Sequence, residues 1–588
     1  MVQFLHVYKI KPNSDIGALT KKIQSVYKRG DPDGKNIFYV QPLTAIHLAS
    51  NLKWELEPNG DKLYVYVFTI IAFFIILIAG INYVNLATAK ASVRAKEVGI
   101  RKVAGAFRSA LVNQFLLESV ITCLIAAALA VLIAQLLLPV VNTLTQKHLT
   151  VIGNPSVVGC LTLSALFLGI VAGFFPATYL SSFKPIAVLK GLKFGERNTV
   201  NLRKALVVIQ FTISTVLIIG ALIISQQIHF VQSAKLGLNK DQVVLVKNAG
   251  FMSQPDRNAF QSTALQIPGV KKMAVADGVV GGQNWTTSLH LKGAKNSQLI
   301  NFLTVGYDFL DVLGIKIKEG RGFSRDFPGD TLNNGIPKGP LDQNIGSIIL
   351  NETAVRDLNI PEPAAGRQLV WGNDGDTVYY VTIVGIARDF HFTSLRNQIK
   401  PFAFVNIPQR VANFTIKLSA ENMSSSLAQL ESGWKKFSSD RPFEYYFLDE
   451  TYANLYKSET RFQKVFVSLV ILGILIACLG LLGLSTFAAQ RRIKEIGIRK
   501  VLGASVIRIA GLLSKDFLKL VIVALVLAIP VSWYLMNKWL QDFAYRIHIE
   551  WWIFLIAAVI TVLIALFTIS FQAIKAAVAN PVKSLRTE

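Results

Sequence analysis

Cysteine is nearly absent: Cys123, Cys160 and Cys478 are the three in 588 residues, and all lie inside apolar runs. That placement argues against a disulfide framework and against a thiolate metal site. Acidic residues are scarce too, 36 against 61 lysines and arginines, for a net charge of +25. There is no Gly-x-x-x-x-Gly-Lys-Ser/Thr loop, no nucleophile elbow and no zinc motif. ATP hydrolysis by this chain, serine-type acyl transfer and a catalytic metal are therefore not expected, and the expected metal set is none. The first residues carry no signal-peptide pattern; residues 1–62 are polar and read as part of a soluble fold.

What is abundant is apolar sequence, 52% of residues with a mean hydropathy of +0.43. A soluble protein rarely reaches that, and a polytopic membrane protein is expected. Crossing a bilayer takes about 20 apolar residues. Seven runs qualify, at 63–86, 111–140, 157–181, 205–228, 463–488, 517–540 and 551–574.

The basic excess sits in short loops between these runs. Lys90, Arg94, Lys96, Arg101, Lys102 and Arg108 follow the first. Lys184, Lys190, Lys193, Arg197, Arg203 and Lys204 follow the third. Arg491, Arg492, Lys494, Arg499, Lys500 and Arg508 follow the fifth. By the positive-inside rule all three loops face the cytoplasm, which explains the charge better than nucleic-acid binding does. Residues 229–462 and 1–62 then lie outside.

One eleven-residue phrase occurs twice. Lys96-Glu97-Val98-Gly99-Ile100-Arg101-Lys102-Val103-Ala104-Gly105-Ala106 returns as Lys494-Glu495-Ile496-Gly497-Ile498-Arg499-Lys500-Val501-Leu502-Gly503-Ala504. Each copy follows a membrane-length run, so the chain is built from two related halves. The spacing predicts a short amphipathic helix at the inner membrane surface, near 90–107 and near 489–505. Glu97 and Arg101, like Glu495 and Arg499, stand at i,i+4 in the favourable order. Val93, Ile100, Val103 and Phe107 share one apolar face. Gly105 and Gly503 fall where a helix ends in a left-handed turn. Lipid headgroups or a shaped protein contact are the two partners such a helix fits, and a repeat this close in polar residues favours the protein contact.

Other features repeat as well. Phe175, Ala177, Pro185 and Leu189 match Phe571, Ala573, Pro581 and Leu585. Glu118 and Asp516 coincide as acids near the inner ends of their spans, expected to act as structural or headgroup-level carboxylates. Mid-membrane ionisable groups are otherwise lacking, which argues against an ion-coupled carrier or a channel. Residues 1–62 match the end of the second outside domain: Val7-Tyr8-Lys9-Ile10 parallels Thr415-Ile416-Lys417-Leu418, and Phe38-Tyr39-Val40 parallels Tyr445-Tyr446-Phe447. The repeat thus predicts a longer protein, with on the order of 200 further residues before Met1; a naturally short form is the alternative.

The expected fold is a polytopic α-helical membrane protein of about seven spans with an α+β extracytoplasmic domain and two internal repeats. Its parts are 1–62, the remnant of a first outside domain; 63–181, three spans; 182–204, a cytoplasmic linker; 205–228, a fourth span; 229–462, the outside domain; 463–576, three spans; and 577–588, a cytoplasmic tail. In the outside domain His391 has no partner at ligand spacing and reads as a structural histidine.

With these motifs the chain resembles the MacB/FtsX-type ABC transporter permeases, in the two-repeat form common in Bacteroidetes. The resemblance rests on the duplicated phrase, on the segments at Pro185 and Pro581, and on three outside phrases: Tyr307-Asp308-Phe309-Leu310-Asp311-Val312-Leu313-Gly314-Ile315, Glu319-Gly320-Arg321 and Asp389-Phe390-His391-Phe392-Thr393-Ser394-Leu395. It implies an inner-membrane, multi-pass permease with its large domain in the periplasm, and no enzyme activity of its own. Lys96, Glu97, Gly99, Arg101, Lys102 and Gly105, with Lys494, Glu495, Gly497, Arg499, Lys500 and Gly503, would then form ATPase-coupling helices. Two cytoplasmic ABC ATPase subunits would carry the ATP and Mg; this chain itself is expected to hold no cofactor. The bilayer, a periplasmic adaptor and an outer-membrane channel are the other implied partners, with no nucleic acid. Efflux or extraction of a peptide, antibiotic-like compound or lipoprotein is the implied function. An FtsX-like mechanotransmitting regulator of a periplasmic cell-wall hydrolase, or a membrane sensor of peptides, are the alternatives.

Overall fold

The computed structural model describes residues 9–11, 14–30, 37–38, 40–49, 60–181, 196–280, 282, 284–294, 297–332, 343–374, 377–491, 493–502 and 504–578. Most of the 182–204 linker, with Pro185 and Leu189, lies outside them. So do most of the 577–588 tail, with Pro581 and Leu585, and residues Val7, Tyr8 and Tyr39 of the N-terminal match.

The seven apolar runs become seven helices long and apolar enough to cross a membrane. Helices α1 (Ile16–Gly30) and α2 (Leu43–Ala49) precede them. The first three membrane-length helices are α3 (Lys62–Val103), α4 (Arg108–Thr145) and α5 (Pro155–Ser181). The fourth is α6 (Glu196–Ser233). Their outward surface is apolar, with Leu129, Leu136, Phe167, Leu479 and Phe567 all more than half exposed. In water such a surface would drive aggregation; in hydrocarbon it costs nothing.

The chain divides into two compact units. In the unit holding most of α3 and α5, close packing depends on glycine. A Cβ at Gly169 would meet the Val120 backbone at 2.8 Å, and one at Gly173 would meet Ser119 at 2.6 Å. This Gly-x-x-x-Gly pair lets α5 approach α4 backbone to backbone. Tyr83 Oη donates to Ser119 Oγ at 2.7 Å and ties α3 to the same crossing.

The second unit holds α6 and the extramembrane domain. The domain begins with β1 (Val243–Val246), α7 (Gln254–Ala264), β2 (Val270–Ala276), β3 (Trp285–Leu291) and β4 (Gln298–Thr304). It continues through α8 (Phe309–Leu313), β5 (Ile317–Gly320), β6 (Gln343–Asn351), α9 (Glu352–Asp357), β7 (Gln368–Asp374) and β8 (Thr377–Ala387). It closes with β9 (Phe402–Val405), β10 (Asn413–Leu418), α10 (Met423–Phe437), β11 (Tyr445–Phe447) and α11 (Leu448–Leu455).

Two lobes result. In the first, an antiparallel sheet of order β11-β1-β10-β2 is covered by α7 and α10. The run Val243-Val244-Leu245-Val246 is buried on both faces. Val244 and Val246 meet Phe260, Phe414 and Trp434 on one side, and Val243 and Leu245 meet Phe309, Phe390 and Phe404 on the other. That is the period-two alternation of a strand between two apolar layers. In the second lobe, β8, β6, β9, β4, β3 and β7 pair in turn, and β7 pairs back to β8, closing a six-stranded barrel. Leu289, Ile300, Ile348, Leu350, Leu369, Ile383 and Ala403 fill its core.

Asp277 fastens the lobes. Its backbone N–H donates to Thr304 O at 3.0 Å, and its Oδ1 accepts from Thr304 N–H at 2.9 Å, so the end of β2 is stapled to the end of β4. Burial pushes the carboxyl up to about 6 against the pull of Thr304, Trp285 and Arg410. A carboxyl whose folded value exceeds its unfolded one stabilises the fold less as pH rises through that interval. The melting midpoint of Asp277→Asn, relative to the parent, is therefore expected to rise between pH 4 and pH 7 and then level off. A constant difference across that range would contradict it.

After the domain come α12 (Lys457–Arg491), α13 (Ile493–Val501), α14 (Val506–Leu540) and α15 (Trp551–Val578). Here α6 is central, with Thr215, Ile219, Ile223 and Gln227 fully buried. Thr215 Oγ1 meets Thr561 Oγ1 at 3.4 Å, which joins α6 to α15.

Candidate coupling site

The two copies of the repeated phrase are local structures of the same kind. Glu97 pairs with Arg101 at 2.7 Å and Glu495 with Arg499 at 2.8 Å, both at i,i+4. At the C-terminus of α3, Gly105 takes φ +95°. Its N–H donates to Lys102 O at 3.1 Å, and Ala106 N–H donates to Arg101 O at 3.0 Å. Those are the two bonds of a Schellman cap, and glycine is the residue that reaches this φ without strain. Ala504 N–H repeats the longer bond, to Arg499 O at 2.9 Å. Gly503 and the Gly497 environment lie outside the described residues, as do the side chains of Lys96 and Lys494.

Beneath each helix is an equivalent small core. Val98, Leu111 and Ala177 are buried together, with Ala106 against them. Ile496, Ile509 and Ala573 are buried together, with Ala504 against them. The side facing the chain is therefore the Val98/Ile496 side, and Gly99 is buried beside Val98.

Two features depart from the sequence reading. The first copy is not a separate surface helix: α3 runs unbroken through Val103. No glycine or proline interrupts residues 81–98, and Ala87, Ala89, Ala91 and Ala95 are strong helix formers. In the second copy α12 is described to Arg491 and α13 from Ile493, with Arg492 between them outside the described residues. The other departure concerns the charges. Arg101 also donates to Gln114 Oε1 at 3.1 Å, and Lys102 Nζ donates to Ser181 O at 2.6 Å. In the first copy the basic residues bind the chain's own helices. What faces outward is apolar: Ile100 is 54% and Val103 66% exposed, as are Ile498 at 52% and Val501 at 66%. Phe107 and Leu502 extend these ridges and are also exposed. Glu118 is half exposed and pairs with Arg94 at 2.8 Å, a structural role for this interface acid. Asp516 is exposed near the start of α14.

A second constellation joins spans to the extramembrane domain, and sequence reading missed it. Gln227, fully buried on α6, donates Nε2–H to Tyr545 O at 3.0 Å and accepts Ile547 N–H on Oε1 at 2.9 Å. The α14–α15 loop is thereby held to α6. The same loop binds the domain: Ala544 N–H donates to Arg396 O and Tyr545 N–H to Leu395 O. Leu395 N–H donates to Tyr456 Oη at 2.9 Å, just before α12. His391 N–H donates to Leu236 O, and its ring stands edge-on to Tyr545 at 4.7 Å between centroids. Burial holds the His391 ring below its ordinary pKa, against the opposing charge of Asp389. The phrase from Asp389 to Leu395 is therefore a knot tying α6, α12 and the α14–α15 loop to both lobes.

Seven membrane-length helices, two repeats and a two-lobed extramembrane domain define a two-repeat polytopic membrane protein. The model of the FtsX-like permease C-terminal family matches residues 69–186 and again 467–581, one copy per repeat. The chain thus carries two FtsX-like permease C-terminal domains and is similar to MacB proteins. It is 35% identical over 119 residues to the macrolide export ATP-binding/permease protein MacB of Campylobacter jejuni, covering 20% of this chain and 18% of that protein. It is 32% identical over 142 residues to the MacB of Acinetobacter baylyi, covering 24% and 21%. The chain thus spans about a fifth of the length of these curated relatives. Among solved structures it is similar to the periplasmic region of MacB from Actinobacillus actinomycetemcomitans, with 15% identity, TM-score 0.26, and coverage of 37% of this chain and 94% of that one. It is also similar to the extracellular domain of the noncanonic ABC-type transporter YknZ from Gram-positive bacteria, with 11% identity, TM-score 0.23, and coverage of 35% and 98%.

Proposed function

We propose that this chain is the permease subunit of an inner-membrane ABC transporter, and that two cytoplasmic ATPase subunits dock on its two repeated helices. The observation that carries the reading is the duplicated site: a helix end closed in both copies by the same alanine N–H to arginine carbonyl bond, seated on an equivalent core, with an outward Ile–Val ridge. A lipid anchor has no need of matched caps and cores, whereas two identical partners need two identical seats. ATP and Mg reside on those partners. The basic loops support a cytoplasmic position for the helices and a periplasmic one for the two-lobed domain.

Closure of the ATPases moves the helix ends, and the knot around Leu395 and Tyr545 passes that movement to the domain. The transported class is a peptide, an antibiotic-like compound or a lipoprotein, handed to a periplasmic adaptor and outer-membrane channel. Affinity purification of the tagged chain in mild detergent, read by mass spectrometry, tests the reading. A Walker-motif ATPase is expected with the parent and not with Ile100→Asp/Ile498→Asp. Its absence from the parent overturns the proposal.

A further inference from the structure

The two repeats align without gaps at a constant offset of 398 residues from Ile78/Ile476 through the repeated phrase. At that offset Asn82 is the equivalent of Gly480, and Asn85 of Gly483. The first pair meets, and Gly483 lies against Leu86, the residue after Asn85. A Cβ added at Gly480 would overlap the Asn82 amide, and one at Gly483 would meet Leu86 at 2.5 Å. The α3 helix therefore crosses residues 471–484 of α12 where the two repeats are related to one another.

The fit at the crossing is chemical as well as steric. Asn82 Nδ2 donates to Ile476 O at 2.7 Å. That carbonyl lies one turn before Gly480, under the surface that a side chain at 480 would cover. The glycine opens the carbonyl, and the asparagine fills the opening. Asn85 is fully buried, and neither atom of its amide finds a partner among the described residues. Asn82 Oδ1 is likewise buried and unpartnered. Amides retained in an apolar helix crossing weaken it relative to a well-packed apolar pair. Their best-attested use is to fix register and partner choice.

We propose that this crossing is a heterotypic lock: the asparagines of the first repeat fit the glycine surface of the second, so the two halves of one chain mate with each other and not with like halves of another copy. Two first repeats would set Asn82 against Asn82 with no opened carbonyl to receive either amide. Two second repeats would leave the Ile476 carbonyl without its extra donor. The partner for each surface is thus the complementary half of the same chain.

The test uses the full chain in detergent with Cys123, Cys160 and Cys478 replaced by serine. Gly480→Asn is expected to lower the melting midpoint by roughly 5 °C, as an overpacked crossing does. Asn82→Gly lowers it as well, and the exchange Asn82→Gly/Gly480→Asn recovers most of the combined loss. Strictly additive losses, or an unchanged midpoint in Gly480→Asn, would overturn the lock. Oxidative cross-linking decides the matter even where a variant fails to accumulate. Asn82→Cys/Gly480→Cys is expected to form a link within one chain, identified by peptide mass spectrometry. Asn82→Cys alone and Gly480→Cys alone are expected to stay monomeric. Covalent dimers through either single thiol would show like halves pairing and refute the proposal.

Discussion

Replacing Ile100 and Ile498 together by aspartate is expected to abolish recovery of the ATPase while leaving the fold intact. Both side chains are half exposed and outside the small cores formed by Val98 and Ile496. Folding therefore loses little by the change. A docked partner loses an apolar anchor at each site and must desolvate a carboxylate there instead. Central interface anchors are worth about 2 kcal/mol or more each, on the order of thirtyfold in affinity. With two equivalent seats the loss compounds, so copurified ATPase is expected to fall at least about tenfold by quantitative blotting. An unchanged melting midpoint separates this outcome from misfolding. Undiminished recovery would mean that the Ile–Val ridges face lipid. Phe107→Asp is expected to act in the same direction on the first repeat alone.

The other large effect is expected at Gln227. Replacing it with leucine removes two hydrogen bonds and leaves the part-buried Tyr545 O and Ile547 N–H without their partner. Each such orphaned group costs about 1–3 kcal/mol. The α14–α15 loop would detach from α6 while its bonds to Arg396 and Leu395 remain. The ATPase would still dock and hydrolyse ATP, because Gln227 does not belong to the coupling helices. Transport-linked work at the domain would fail. Gln232→Leu on the same helix removes one exposed bond, to Thr460 at 3.1 Å, and serves as the control with little effect. A Gln227→Leu chain that retained full transport would take the knot out of the mechanism.

What could be read from the sequence was local. Apolar length placed the spans, and the repeated phrase contained its own ion pair and its own cap glycine, all within eleven residues. The outward face of that helix was not legible. Val98 and Ile100 are both apolar, and the choice between them depends on Leu111 and Ala177, contributed by two other helices. For the same reason Arg101 and Lys102 looked like partner-facing charges. Their acceptors, Gln114 and Ser181, are close in space and remote in sequence. Barrel closure depends on β7 pairing with both β3 and β8, which alternation along a single strand does not announce. The knot gathers Gln227, His391, Tyr456 and Tyr545 from four segments. His391 reads as structural from its lack of partners at ligand spacing, but its contacts with Leu236 and Tyr545 come from segments remote in the chain.

The central claim is that ATPase closure reaches the extramembrane domain through this knot. Hydrogen exchange at the amides of Leu395, Ala544, Tyr545 and Ile547 tests it directly, in the permease reconstituted with its ATPase. All four donate hydrogen bonds within the knot. Comparing the nucleotide-free complex with the vanadate-trapped one, the account predicts a change in protection at these amides. The amides of residues 146–148, exposed after the end of α4, should remain unchanged. Identical protection at all four in both states, with the ATPase demonstrably trapped, would contradict the account.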